Sequence, residues 1–137
     1  MRVLIDTNII MDVLANREGF SEPASRLFKL CEVGQVQGMI YALSIANIAY
    51  IMRKELDREQ IKDVIAKLDA IFTIADMKGD DFKKAAELPM DDFEDALQSI
   101  CATRLKADFI VTRNLKDFKN SKVMAIKPSE LIERMAE

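Results

Sequence analysis

Asp6 follows the apolar run Val3-Leu4-Ile5 directly, so that Asp6-Thr7-Asn8 puts a carboxylate where a buried strand meets solvent. In open α/β sheets this carboxyl end of a strand is where ligands and chemistry collect. A second acidic cluster, Asp91-Asp92-Phe93-Glu94-Asp95, opens a later amphipathic stretch, and Thr112-Arg113-Asn114 with Asp117 follows the apolar run Phe109-Ile110-Val111. Asp92 and Asp95 are three positions apart, so on a helix they project from adjacent turns of one face. Phe93, Leu97, Ile100 and Cys101 line the neighbouring face toward the core. Carboxylates brought together repel one another, and their pKa values rise unless a cation neutralises them. Convergence of Asp6, Asp92, Asp95 and Asp117 therefore implies a hard dication, Mg²⁺ or Mn²⁺. Such an ion lowers the pKa of bound water, holds a phosphodiester and stabilises the departing oxygen.

Each acid also has a quieter role open to it. Asp6 can be a turn former bonded to the backbone of Asn8 or Ile9, Asp91 or Asp92 can be a helix N-cap, and Asp117 can be a turn or cap residue. Asp95 lies inside the predicted helix and has no capping role to fill. The chain contains no histidine. That excludes a Ser-His-Asp triad, a histidine general base and a histidine zinc site.

The elements that must position these acids follow from apolar periodicity. Strand-length runs alternate with helix-length amphipathic stretches, which predicts βα units around a parallel sheet. Strands are expected near Val3-Ile5, Met39-Ala42, Ile71-Ile74, Phe109-Thr112 and Val123-Ile126. Helices are expected over Asn8 to Asn16, Ser21 to Val33, Ser44 to Lys54, Arg58 to Leu68, Asp81 to Leu88, Asp92 to Lys106 and Ser129 to Ala136. Gly34 stops the second helix, Gly38 and Gly79 mark turns, and Pro89 ends the pattern begun at Asp81.

The chain's 137 residues fit one domain over 1–137. With 31% charged residues, and no apolar stretch near the roughly 20 residues of a membrane helix, it predicts a soluble protein without membrane association. Met1 runs straight into a strand without a signal-peptide pattern. Cys31 and Cys101 lack metal-ligand spacing and are expected as buried thiols in a reducing, cytoplasmic setting. A net charge of −3 leaves room only for local contacts with nucleic acid. Arg113, Lys116, Lys119 and Lys122, with Arg53-Lys54, are the cations placed to supply them or to serve as solvated charges.

Taken in order, Val3-Leu4-Ile5-Asp6-Thr7-Asn8, Asp95-Ala96 entering a helix, and Ile110-Val111-Thr112-Arg113-Asn114 followed by Asp117-Phe118 resemble the PIN-domain family of metal-dependent ribonucleases. That family includes the VapC-type toxins of toxin-antitoxin pairs. The resemblance spans nearly the whole chain and implies a three-layer, Rossmann-like α/β fold with a central, mostly parallel sheet of five strands flanked by helices. It implies a Mg²⁺- or Mn²⁺-dependent endoribonuclease with an RNA substrate and an antitoxin protein as partner, whereas the apolar helices near the N-terminus need a cover, which either a second copy in a homodimer or the chain itself can supply.

The family's four acidic positions fall here on Asp6, Asn47, Asp95 and Asn114. An amide oxygen can orient a water but brings no charge, so the site is expected to hold metal more weakly than four carboxylates would. Asp117, just after the fourth position, is the nearest replacement, with Asp92 and Glu94 also at hand. Asn47 has a second reading as the third residue of a helix capped by Ser44. The resemblance thus nominates Asp6, Asp95, Asp117, Asn47 and Asn114 as catalytic residues and Asp6, Asp95, Asp92 and Asp117 as metal ligands. The competing function is a weakened PIN-like domain that binds RNA or protein without turnover. An aspartyl-phosphate chemistry fits less well, because Asn8 breaks a D-x-D pattern at the first strand.

Overall fold

A computed structural model describes residues 1–136. Five parallel strands form one sheet in the order β3-β2-β1-β4-β5: β1 Arg2–Ile5, β2 Gln37–Tyr41, β3 Thr73–Ala75, β4 Phe109–Val111 and β5 Ala125–Ile126. Seven helices connect and flank them: α1 Thr7–Leu14, α2 Ser21–Glu32, α3 Ala42–Met52, α4 Arg58–Ile71, α5 Gly79–Ala86, α6 Phe93–Arg104 and α7 Pro128–Met135. A short 3₁₀ turn, Leu115–Phe118, follows β4. This is the three-layer α/β arrangement that the alternation of apolar runs predicts.

The central strand is covered on both faces, which is why Val3, Leu4 and Ile5 are uninterruptedly apolar and fully buried. Side-chain alternation sorts them. Val3 and Ile5 join Ile9, Ile10, Leu27, Ile40, Ile48 and Val111 on the face that α1, α2, α3, α4 and α7 cover. Leu4 joins Met39, Tyr41, Leu97, Cys101, Ile110 and Phe118 on the face covered by α5 and α6. The two cysteines are thus buried free thiols on opposite faces of the sheet. Burial pushes both thiols up to about 12, away from reactivity.

Three sequence expectations shift. Gly38 is not at a turn but inside β2, where a Cβ would lie 2.7 Å from the Phe72 ring and 2.8 Å from Cys31 Sγ, so the residue admits the close approach of α2 to the sheet. Gly79 begins α5, two residues before the expected start. The apolar faces of α1 and α2, which on sequence grounds needed a cover, are met within the chain through Ile9, Ile10, Ala24 and Leu27. Gly34 does end α2, with φ at +83°. Among the described residues no helix is long and apolar enough to cross a membrane.

A buried ion pair fixes how α6 sits. Asp81 accepts from Tyr41 Oη at 2.9 Å and from Arg104 through Nη2 at 2.9 Å and Nε at 3.2 Å, while the Lys78 amide donates to it at 3.1 Å. Burial alone would raise this carboxyl, but the donors outweigh it and hold Asp81 below the usual carboxylate range. β2, α5 and α6 are thereby clamped together.

Candidate active site

β1 and β4 are neighbours, with Ile5 opposite Val111, so their carboxyl ends open side by side at the point where strand order reverses. Asp6 stands there. Its amide donates to Val111 O at 3.0 Å, and its carboxylate takes one bond on each oxygen: Thr7 N at 2.7 Å on Oδ1 and Thr112 Oγ1 at 2.8 Å on Oδ2. Asp6 therefore does cap α1, as its quieter role required, but through Thr7 and not through Asn8 or Ile9. Both bonds fix its rotamer. Burial raises the Asp6 carboxyl, the Thr112 and Thr7 bonds pull it back, and the charges of Asp117 and Asp92 push it up again.

Asp92 is the N-cap of α6, its Oδ1 accepting from Asp95 N at 3.0 Å. The capping role expected of an early acid in this cluster thus falls on Asp92, which keeps its second oxygen free. Asp95, in the first turn, is pushed up to about 7, first by partial burial and then by the charges of Asp92, Asp6, Asp117 and Glu94. Asp117 sits in the 3₁₀ turn. With Asp92 and Asp95 it lines a cleft of about 450 Å³ that also presents Lys116, Lys119 and Asn120. The Asn120 amide donates to Pro89 O at 2.9 Å and ties the two rims together. Asp6, Asp92, Asp95 and Asp117 are thus a mutually repelling group, the first buried at the strand end and the others around the cleft.

The amides behave differently from one another. α3 begins at Ala42, not Ser44, with Tyr41 as an N-cap that makes no side-chain cap bond. Ser44 is inside the helix and buried, so the capping role foreseen for it is absent. The chain turns from β2 into α3 without a loop, and Ser44 is drawn into polar contacts with α1 and α6 through Thr7 and Gln98. Asn47, one turn on, donates from Nδ2 to Glu94 Oε2 at 3.3 Å, which brings it to the start of α6 beside Asp95. Asn114 is exposed at the head of the 3₁₀ turn and contributes its backbone amide, which donates to Thr112 Oγ1 at 3.1 Å. Its side chain does not cap the turn.

The basic stretch divides. Lys116 and Lys119 line the cleft. Arg113 instead turns back toward α1, with Nε 3.0 Å from buried Asp12 and its guanidinium 4.1 Å from the centre of the Phe20 ring. Lys122 lines a separate cavity beside Asp81 and Arg104. Arg53 covers Tyr50 at 3.7 Å and donates to Tyr50 O.

Chemically, hard oxygen donors of like charge around one cleft suit a divalent cation that retains part of its water shell. Among the described residues no group of three or more Asp, Glu or Cys side chains is arranged to hold a metal ion, so an ion at this cleft would take much of its shell from water. Sequence reasoning named every acid of this group but gave Thr112 no task, read Ser44 only as a helix cap, and passed over the Thr7 side chain and Gln98. The signal for Gln98 was a polar residue amid Ala96, Leu97, Cys101 and Ala102 on a buried helix face.

A family model described as a PIN domain matches residues 2–116. No curated protein sequence matches the chain. Among solved structures, the chain is similar to one in VapBC2 from Rickettsia felis bound to a DNA fragment from its promoter, with a TM-score of 0.72, 18% identity, and coverage of 93% of this chain and 98% of that one. A chain of VapBC-1 from nontypeable Haemophilus influenzae gives a TM-score of 0.70 at 18% identity, covering 94% and 99%. VapC20 from Mycobacterium tuberculosis, a sarcin-ricin loop cleaving toxin, gives 0.63 at 13% identity, covering 79% and 86%. At such identities the likeness shows a shared fold.

Proposed function

This chain belongs to the PIN-domain family, and from that premise we propose that it is a divalent-metal-dependent endoribonuclease acting as the toxin of a toxin-antitoxin pair. The observation that carries the proposal is the group of four acids, Asp6, Asp92, Asp95 and Asp117, in which burial and then the charges of Asp117 and Asp92 hold Asp6 above its ordinary pKa, and burial and then the charges of Asp92, Asp6 and Asp117 do the same to Asp95. A Mg²⁺ or Mn²⁺ ion relieves that repulsion. Asp6 and Asp95 are its principal ligands, and Asp117, with the free oxygen of Asp92, completes the protein's share. When bound, the ion supplies an activated water and stabilises the departing oxygen.

The chain's own residues do the rest. Thr112 and the Thr7 amide hold Asp6 in one rotamer. The Asn114 amide holds Thr112 in turn, and Asn47 orients Glu94 at the mouth of α6. Lys116 and Lys119 steady phosphate oxygens along the cleft. Asn47 in place of a carboxylate makes metal affinity modest, and Asp117 offsets the neutral Asn114. The likeness to chains in VapBC complexes supports an antitoxin partner. A homodimer would use exposed apolar residues such as Tyr50 and Ile51 on α3, since α1 and α2 are already covered. The setting is cytoplasmic, and the domain spans residues 1–137.

The test is RNA cleavage by purified protein in Mn²⁺, beside Asp6→Asn and Asp95→Asn. Each variant is expected to lose at least about 100-fold in rate, since each removes a charged ligand. Equal rates would sink the proposal. The second reading, a weakened binding domain, is favoured by the neutral Asn47 and by the absence, among the described residues, of three or more acids arranged to hold a metal ion. Calorimetry separates the two, because saturable Mn²⁺ binding at millimolar metal belongs to the nuclease and its lack to the binding domain.

A further inference from the structure

Next to the acids lies a set of neutral polar side chains that the catalytic assignment leaves without a task. Gln98 stands one helical turn after Asp95 on α6, Ser44 one turn before Asn47 on α3, and Thr7 directly after Asp6 at the head of α1. Gln98 Nε2 donates to Ser44 Oγ at 2.8 Å, and Thr7 Oγ1 donates to the same oxygen at 2.9 Å. Gln98 is 5% exposed and Ser44 1% exposed. Gln98 Oε1 is buried with no partner among the described residues. A buried amide oxygen without a partner is unfavourable, so packing alone would place an apolar side chain here.

We propose that Gln98 is a positioning residue: through Ser44 Oγ it fixes α6 against α3 and α1, and so sets the spacing at which Asp95, Asn47 and Asp6 face one another. The inference rests on the metal-dependent nuclease reading. Its physical logic is charge. Asp6 and Asp95 repel, so the helices that carry them need a link that draws them together, and a carboxylate link would add to the repulsion. A neutral amide bonded to a hydroxyl holds the geometry without adding charge. Ligand geometry must be kept within about 0.5 Å for productive chemistry, and residues that orient ligands matter accordingly.

The test compares the full chain with Gln98→Met, Ser44→Ala and the double variant. It uses Mn²⁺ calorimetry, thermal melting, and RNA cleavage at saturating Mn²⁺. Each single variant is expected to weaken Mn²⁺ binding about 10-fold, with the KM for RNA unchanged. The double variant should bind Mn²⁺ no more weakly than the weaker single, because both changes break one link. A packing role would lower the melting temperature and leave Mn²⁺ affinity alone, and that result overturns the proposal, as do strictly additive effects. If Gln98→Met does not fold, Ser44→Ala breaks the same bond with a smaller change and decides the question. If the parent chain itself binds no Mn²⁺, the nuclease reading fails and the inference falls with it, a result visible before any variant is made.

Discussion

Two groups of acid in this molecule, one around buried Asp81 and one around buried Asp6, have opposite electrostatic fates. Asp81 is met by Arg104, Tyr41 and the Lys78 amide and is held below the usual carboxylate range. Asp6, in spite of its bonds from Thr7 and Thr112, and Asp95 are held above it, first by burial and then by the charges of neighbouring acids. Both groups abut α6, one near its C-terminal end and one at its first turn. The difference shows which acids the fold uses to stabilise itself and which it keeps uncompensated at a strand end. A satisfied acid is structural, while a repelling group is the feature on which the proposed cation site rests.

Breaking the comparison on the catalytic side gives the largest effect. Asp6→Asn or Asp95→Asn is expected to abolish most RNA cleavage while the metal-free protein melts no lower than the parent, because each change removes like-charge repulsion. Lowered melting together with retained cleavage would reverse the assignment. On the structural side, Arg104→Ala leaves Asp81 buried and unpaired and is expected to cost about 3 kcal/mol in denaturant unfolding. Mn²⁺ affinity measured below the melting transition should stay near that of the parent.

pH separates the groups by sign. Asp95, at about 7 in the metal-free fold, titrates near about 4 when unfolded. Between those values the native state binds more protons than the unfolded state, so metal-free stability declines as pH rises through that window. The Asp81 contribution runs the other way: it is present above about pH 4 and is lost as pH falls through its lowered folded value. Unfolding curves across pH should show the first slope removed in Asp95→Asn and the second removed in Asp81→Asn. The smallest effect is expected from Lys116→Ala or Lys119→Ala. Each should raise the KM for RNA a few-fold and reduce the salt dependence of binding by about one charge, read from KM against salt.

Much of this arrangement was legible from residue order. Val3-Leu4-Ile5 announced a strand buried on both faces, and Asp6 after it marked that strand's carboxyl end, because a parallel central strand needs apolar residues throughout. Asp95 stood out once Asp92 had the cap. What stayed hidden depended on contacts between distant segments. Arg113 was open to a phosphate contact or a solvated role, yet Asp12, buried in α1, draws it into an ion pair. Ser44 looked like a cap, yet Thr7 and Gln98 hold it inside α3. Gly38 looked like a turn, yet Phe72 and Cys31 press against it. Local propensity cannot foresee such partners, since each lies more than five residues away along the chain or on another element.

The most direct measurement is Mn²⁺ calorimetry at pH 8 on the parent chain, Asp95→Asn and Arg104→Ala. The account predicts saturable binding by the parent and by Arg104→Ala, and its loss in Asp95→Asn. Binding that survives unchanged in Asp95→Asn, or no saturable binding by the parent at millimolar metal, would contradict it.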